Sequence, residues 1–296
     1  CLIICKSTRK NFIMSDQNYL SIYAKSFNWA GFFLPKQTYL KCSALYDFCR
    51  VADNIADSNE SINIKKDKFK EFQNNFNKKN FNDPIIKNMW ELIEEFNISL
   101  KIVHDLLDGI NFDIKENIKL NEKKDLLVYS YRVAGTVGLM MAKILKVNKK
   151  SSLKSAIDLG IAMQLTNISR DVVEDSKNGR CYIKSNFEEI KSTVKLAESF
   201  YESSFYSIKE IPFSLRFAIL VARRVYRKIG HKILNKKNME NYKKSKKIYV
   251  TNIEKIIETF YSFFDLIKLF LIIKNDDDIQ HNHFLINNEI NLDERI

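Results

Sequence analysis

The sequence predicts an all-α protein built as a single domain, and three observations carry that expectation. Glycine and proline number 7 and 3 in 296 residues, where average usage gives roughly 35 of the two together. Hairpins, sandwiches and glycine-looped nucleotide folds depend on those residues at their turns. Apolar residues recur with the period of a helix over most of the chain, and neither a repeat nor a linker divides it. With 45% hydrophobic and 28% charged residues, the chain fits neither disorder nor an integral membrane bundle.

In chain order, residues 1–13 carry a short apolar patch, Leu2 to Cys5, far below the length of a signal peptide or a span. They read as a non-native or disordered extension ahead of Met14, and the domain is placed at 14–273. Helical periods fall at 17–34, 37–58, 64–78, 83–96, 99–115, 122–146, 151–175, 190–209, 212–235 and 248–273. Asn82-Asp83-Pro84 and Lys177-Asn178-Gly179 mark breaks. The Lys- and Asn-rich stretch 59–82 reads equally as a mobile loop. Phe260–Ile273 is apolar but interrupted by Asp265 and Lys268, too short and charged to span a bilayer. A buried closing helix is its default reading, with a place near lipid as the alternative. Residues 274–296 turn polar and are expected to form a loose tail.

The charge balance, 48 basic against 36 acidic residues, gives +12. It suits an anionic partner: nucleic acid, a phosphorylated substrate or a membrane surface. Much of the excess is Lys scattered among Asn and Ile, and Arg223–Lys247 holds eleven Lys or Arg against Glu240. No recognition helix or aromatic platform accompanies that run, so nucleic acid is not expected and a solvated or membrane-facing basic surface is. Cys1, Cys5, Cys42, Cys49 and Cys181 form no Cys-x-x-Cys pair and have no His at metal spacing. Free thiols in a reducing compartment, the cytoplasm, are expected.

Two segments place polar residues where a core belongs. Gly160, Gln164, Asn167, Asp171 and Asp175 step by four, three, four and four, along one helical face flanked by Ile157, Ile161, Leu165 and Ile168. Tyr46, Arg50, Asp53 and Asp57 form a second such line. Each helix offers two carboxylates one turn apart, which repel unless cations join them. Hard oxygen-seeking ions fit, with Mg²⁺ favoured because it binds carboxylates together with substrate phosphates. An aspartate pair on one helix is by itself commonly two solvated acids; two pairs, each with an arginine beside it (Arg50, Arg170), point to a site. Arg50 and Arg170 fit either as neutralising partners or as phosphate ligands. A third segment, Tyr129-Ser-Tyr-Arg-Val-Ala-Gly-Thr-Val-Gly138, carries two glycines in a helical context, for close packing or for a long ligand.

These three segments, with Gly179-Arg-Cys-Tyr182, resemble the squalene/phytoene synthase family over residues 17–260, and the bacterial phytoene synthases most. The sequence departs from that pattern at Lys184, where Pro is common, and at Lys246-Lys247, where Arg is usual. The resemblance implies the all-α isoprenoid synthase fold around a central cavity. It implies that Asp53, Asp57, Asn167, Asp171 and Asp175 hold Mg²⁺, with Mn²⁺ as a substitute. Tyr23, Lys25, Ser26, Tyr46, Arg50, Gln164, Arg170 and Tyr242 would contact diphosphate or the first prenyl carbons. Phe27, Tyr129, Val133, Val137, Gly138 and Tyr182 would line the hydrocarbon channel or stand near the reacting carbons. The activity implied is condensation of two geranylgeranyl diphosphates to phytoene without NADPH. Farnesyl-based squalene, dehydrosqualene or presqualene diphosphate synthesis is the enzymatic alternative. A catalytically silent assembly, lipid-binding or nucleic-acid-binding protein is the other. Other carotenoid-pathway enzymes are the suggested protein partners, and reversible membrane contact through 223–247 and 260–273 the expected location.

Overall fold

The computed structural model describes residues 25–245, 247–271 and 283–296. Tyr23 and the extension 1–13 lie outside them. Helices carry almost all regular structure among the described residues, as the composition predicts. α1 (Lys25–Gly31) leads through Pro35 into α2 (Lys36–Asp57), which buries Cys42, Leu45, Phe48, Ala52 and Ala56 at helical spacing. α3 (Ile62–Asn77) occupies the stretch that also reads as a loop. Its Lys and Asn side chains form a solvent face, while Phe69, Phe72 and Phe76 are buried. Phe72 and Phe76 pack on Phe48 at 5.3 and 5.4 Å between centroids, and Phe76 stacks on Trp90 at 5.2 Å. Three aromatic anchors suffice to hold a polar segment as a helix.

α4 (Pro84–Phe96) begins at the expected break: Asp83 accepts from the Ile85 amide at 2.8 Å, and Pro84 takes the first position. α5 (Leu100–Phe112) is capped by Ser99. α6 (Lys123–Ser130), a π-helical turn (Tyr131–Gly135) and α7 (Thr136–Ile144) follow one another without a gap, close to the single helix expected at 122–146. α8 (Lys150–Lys177) is the central rod, packed against the π turn, α7, α9 (Phe187–Phe205) and α10 (Phe213–Leu234). At its closest approach to its neighbour, a methyl group on Gly138 would stand 2.2 Å from the Ala156 carbonyl. One on Gly160 would stand 2.2 Å from that of Ala134. The glycines let two backbones touch.

A two-residue parallel pair, β1 (Ile118–Lys119) with β2 (Arg180–Cys181), joins the end of α8 to the α5–α6 connection. It follows Gly179, whose φ of +73° favours glycine. α11 (Met239–Lys244) and α12 (Asn252–Leu271) follow α10.

Two expectations change here. The basic run 223–247 is largely occupied internally. Arg223 is buried against the Tyr201 carbonyl and pairs with Glu202. Arg224 binds Asp265 and Glu258, Arg227 binds Glu198 and Glu202, Lys228 binds Glu258 and Lys232 binds Glu254. Lys244 and Lys247 pair with Glu240 and Glu174. Apart from Glu240, which lies on the same helix as Lys244, those acids lie outside the run, where a local charge count does not see them. The second concerns α12, which is not a buried closing helix: it turns its charged residues inward and its apolar residues out.

The C-terminal segment also differs from the loose tail expected of 274–296. Among its described residues, α13 (His283–Asn287) and a 3-10 turn (Leu292–Glu294) dock on the core, with Ile286, Ile290 and Leu292 buried. His283 contacts Asp158 at 2.5 Å, and Arg295 forks onto Asp105 at 2.9 and 3.2 Å. Three apolar anchors among polar neighbours are enough to seat it. Leu292→Ala is therefore expected to lower unfolding free energy by about 2–4 kcal/mol in urea titration. A loose tail would leave the midpoint unchanged.

Candidate functional site

A cavity of about 760 Å³ runs through the middle of the helices, toward the upper end of the roughly 300–1,000 Å³ usual for ligand pockets. One face of α8 lines it from end to end: Ser152, Ser155, Ala156, Leu159, Gly160, Met163, Gln164, Asn167 and Arg170. Across from this stripe stand Val133, Val137, Gly138 and Met141 from the π turn and α7, and Ala218, Ile219 and Ala222 from α10. The wall is apolar in the middle. One end is polar, with Tyr46, Arg50, Asp53, Gln164, Asn167, Arg170, Tyr226 and Lys247. The other end is closed by Leu145, Val147, Ile208 and a group of small hydroxyls, Ser152, Ser155 and Ser207. Ser155 and Ser207 hydrogen-bond each other at 2.8 Å.

The polar end carries an anionic cluster. Burial, then the Asp57 carboxylate, push Asp53 up to about 7. Burial, then Asp171, push Asp175 up to about 7. Asp113 rises to about 6 through burial, against the pull of two tyrosine hydroxyls that donate to it. Those hydroxyls belong to Tyr129 at 2.8 Å and Tyr182 at 2.7 Å, whose rings stack at 4.7 Å and 18°. Burial keeps both phenols neutral, well above their usual range. Arg180 stands between the acids, 2.8 Å from Asp57, and its charge lowers Asp53, Asp113 and Asp175.

The Squalene/phytoene synthase family profile matches residues 21–185. The 15-cis-phytoene synthase of Enterobacter agglomerans is 30% identical over 247 residues, which cover 73% of this chain and 83% of that protein. The chain belongs to the squalene/phytoene synthase family. The 15-cis-phytoene synthase of Pantoea ananas is 28% identical over 247 residues, 72% of this chain and 80% of that protein. A crystal structure of a dehydrosqualene synthase in complex with ligand superimposes with a TM-score of 0.70 at 26% identity, over 84% of this chain and 94% of the other. The isoprenoid synthase architecture expected of the family is the one observed.

The residues that the family resemblance singles out fall into five groups. Tyr46, Arg50, Asp53, Val133, Val137, Gly138, Gln164, Asn167 and Arg170 line the cavity. Asp57, Asp175, Tyr129 and Tyr182 stand with Asp53 in the electrostatic cluster at its polar end. Asp171 is held differently: Arg170 forks onto it at 2.9 and 2.5 Å, and Lys247 approaches to 3.7 Å. Lys25, Ser26 and Phe27 fall in the first turn of α1. Tyr242 is engaged by the protein itself. Its buried hydroxyl donates to the backbone carbonyls of Ser169 and Arg170, at 2.9 and 2.6 Å, and so braces α8 behind the site.

Three further residues stand at the polar end of the cavity. Asp113 and Arg180 are joined to it by tertiary contacts. Arg180 lies inside the Gly179-Arg-Cys-Tyr182 motif, whereas no sequence pattern marks Asp113. Lys247, noted above as a departure from the family's arginine, supplies a cation beside Asp171 and Glu174.

The acids stand as two pairs, one on α2 and one on α8, and among the described residues no three His, Cys, Asp or Glu side chains close on one point. Such a set does not form an all-protein cage. It fits ions that take one or two carboxylates and complete their shell with water and substrate phosphate, as Mg²⁺ does. The raised carboxyls are the second sign of fit, since an acid pushed up by burial and like charge gains from a divalent cation.

A pH dependence follows. An unfolded aspartate loses its proton near 3.8, whereas folded Asp53 and Asp175 hold theirs to about 7 and Asp113 to about 6. The folded state binds more protons in that window, so its stability falls as pH rises through it. Without divalent cations, the protein should be roughly 1–3 kcal/mol more stable at pH 5 than at pH 8 in denaturant titration. Asp53→Asn should flatten that slope without lowering stability at pH 8. A large loss in the variant would mean that Asp53 is a structural ion-pair member.

Proposed function

We propose that this protein is a Mg²⁺-dependent prenyltransferase that condenses two geranylgeranyl diphosphates through prephytoene diphosphate to phytoene, releasing diphosphate, in carotenoid biosynthesis. The observation that carries the reading is the shape of the cavity, with ionic groups at one end and hydrocarbon walls along its length. Its length favours the C20 substrate. From Asn167 to Ser152 the lining stripe of α8 extends about 22 Å at 1.5 Å per residue. The main chain of a C20 prenyl group spans about 18 Å, and that of a C15 group about 13 Å, at the extension per bond of an extended chain. The identity of the Enterobacter agglomerans and Pantoea ananas relatives points the same way.

The residues divide the work by chemistry. When bound, Mg²⁺ would supply positive charge that eases departure of the diphosphate. Arg50, Arg170 and Lys247 present cations to the same departing group at the polar end. Asp53, Asp57, Asn167, Asp171 and Asp175 would hold the metal, and Gln164 and Tyr46 would orient the first prenyl carbons. Val133, Val137, Met141 and Met163 keep water from the allylic cation, and the stacked faces of Tyr129 and Tyr182 favour positive charge beside them. Asp113 fixes both phenols through its two hydrogen bonds. NADPH has no part in this reaction. We place the protein in the cytoplasm in reversible membrane contact, with other enzymes of the carotenoid pathway as its protein partners. Among the described residues no helix is long and apolar enough to cross a membrane.

Incubation of the purified protein with geranylgeranyl or farnesyl diphosphate and Mg²⁺, followed by mass spectrometry of the hydrocarbons, tests the reading. Phytoene is expected; a C30 product alone would select the farnesyl alternative, and no diphosphate release a silent family member. Asp53→Asn and Asp171→Asn should each lower turnover by about a thousandfold while the fold survives.

The serine-lined end gives a separate test. Ser155→Leu fills the closed end next to Ser207, so the product should shift from C40 toward C30, at a stability cost of about 1–3 kcal/mol. Unchanged preference for the C20 substrate in a folded variant would remove α8 as the ruler.

A further inference from the structure

α12 is inverted for a helix on the surface of a soluble protein. Lys255, Glu258, Ser262 and Asp265 are buried, while Ile253, Ile256, Phe260, Phe263, Phe264 and Phe270 are 51–72% exposed. No carboxylate of α12 is exposed, and the only exposed charge along it is Lys268. Ion pairs enforce this orientation. Arg224 forks onto Asp265 at 2.5 and 2.9 Å and reaches Glu258 at 3.3 Å; Lys232 binds Glu254 at 2.7 Å. Rolling the helix to bury its phenylalanines would strip these partners and leave charges unpaired in the core. Solvent exposure of the apolar row is thus built in.

The apolar surface continues beyond the helix. Phe213 packs on Phe270 at 5.9 Å, and Phe32 is 75% exposed. The Trp29 indole donates to Thr259 at 3.0 Å, tying α1 to α12. The segment that follows α1 and the one that precedes α12 supply Leu34, Ile248 and Tyr249 to the cavity wall. Patch and cavity therefore share two segments. Two cations stand at the patch: Lys268 on α12 itself, and Arg216, which stands 5.8 Å from the rings of both Phe213 and Phe270. A second copy of the chain would bring like charges together along that rim. Lipid headgroups, anionic or zwitterionic, would not.

We propose that the outer face of α12 is a membrane-insertion surface. The helix lies in the plane of a bilayer with its phenylalanine row among the acyl chains, and the cavity exchanges its hydrocarbon with lipid on that side. Peripheral contact is part of the function proposed above, and the hydrocarbon traffic rests on that reading. The binding mode does not: it is apolar insertion, and the basic run 223–247, largely paired within the protein, contributes little. An interfacial helix of this kind places its apolar face several ångströms below the headgroups.

Flotation of the full chain with phosphatidylcholine vesicles, with and without phosphatidylglycerol, tests the surface independently of catalysis. Wild type should float with neutral vesicles at low and high salt, and the F260E/F264E variant should bind at least about tenfold more weakly. The same variant should keep its melting temperature and its turnover on detergent-dispersed substrate. Phe264→Trp should be quenched by brominated lipid. Binding that needs anionic lipid and vanishes in high salt would overturn the proposal. So would an unquenched Phe264→Trp, a double variant that floats as wild type does, or a dimer in buffer that the double variant makes monomeric. A protein that floats but forms no hydrocarbon would count against the enzymatic reading alone.

Discussion

Asp53, Asp57, Asp113 and Asp175 form a half-buried to buried anionic cluster at the polar end of the cavity. Water cannot screen these charges well there, and Arg180 is too small a counterweight, so Asp53 and Asp175 hold their protons to about neutrality. An arrangement that unfavourable persists only because the helices are locked from behind. Gly138 and Gly160 bring two backbones into contact. Tyr242 braces α8 through the Ser169 and Arg170 carbonyls. The β1–β2 pair holds Arg180 and Tyr182 against the α5–α6 connection. Stability gained in the rod is what allows the strained charge at its end.

The same geometry gives the cavity direction. α8 supplies Gln164, Asn167 and Arg170 at one end of its inner face and serine hydroxyls at the other, with apolar side chains between. A prenyl diphosphate has that polarity. The outside of the molecule repeats the logic in reverse, because α12 buries charge and exposes phenylalanine. Ion pairs do structural work on the inner side of α12, and that frees its outer side to be apolar.

How much of this was legible in the sequence depends on the range of each interaction. The line Gly160–Asp175 and the line Tyr46–Asp57 could be read because helical spacing fixes which residues share a face. Their meeting across the cavity could only be inferred from a resemblance. Asp113 and Arg180 sit 67 residues apart and meet through a two-residue β pair, for which no local pattern exists. α3 and the C-terminal segment were obscured by composition: a few buried aromatic or aliphatic residues outweigh many Lys and Asn. Tyr242 lies where the motif puts it, but its hydroxyl turns to the backbone. For α12 an apolar stripe is ordinarily the buried one, and only the tertiary partners of Glu258 and Asp265 show that here it is not.

Proton release on cation binding tests the anionic cluster most directly. Calorimetric titration with Mn²⁺ near pH 6.5, in two buffers of different ionisation enthalpy, counts the protons displaced. Wild type should release about one proton more than Asp53→Asn, and the difference should vanish above pH 8, where the raised carboxyls are already ionised. Equal release by the two proteins, or none at pH 6.5, would contradict a site organised around mutually repelling, partly protonated aspartates.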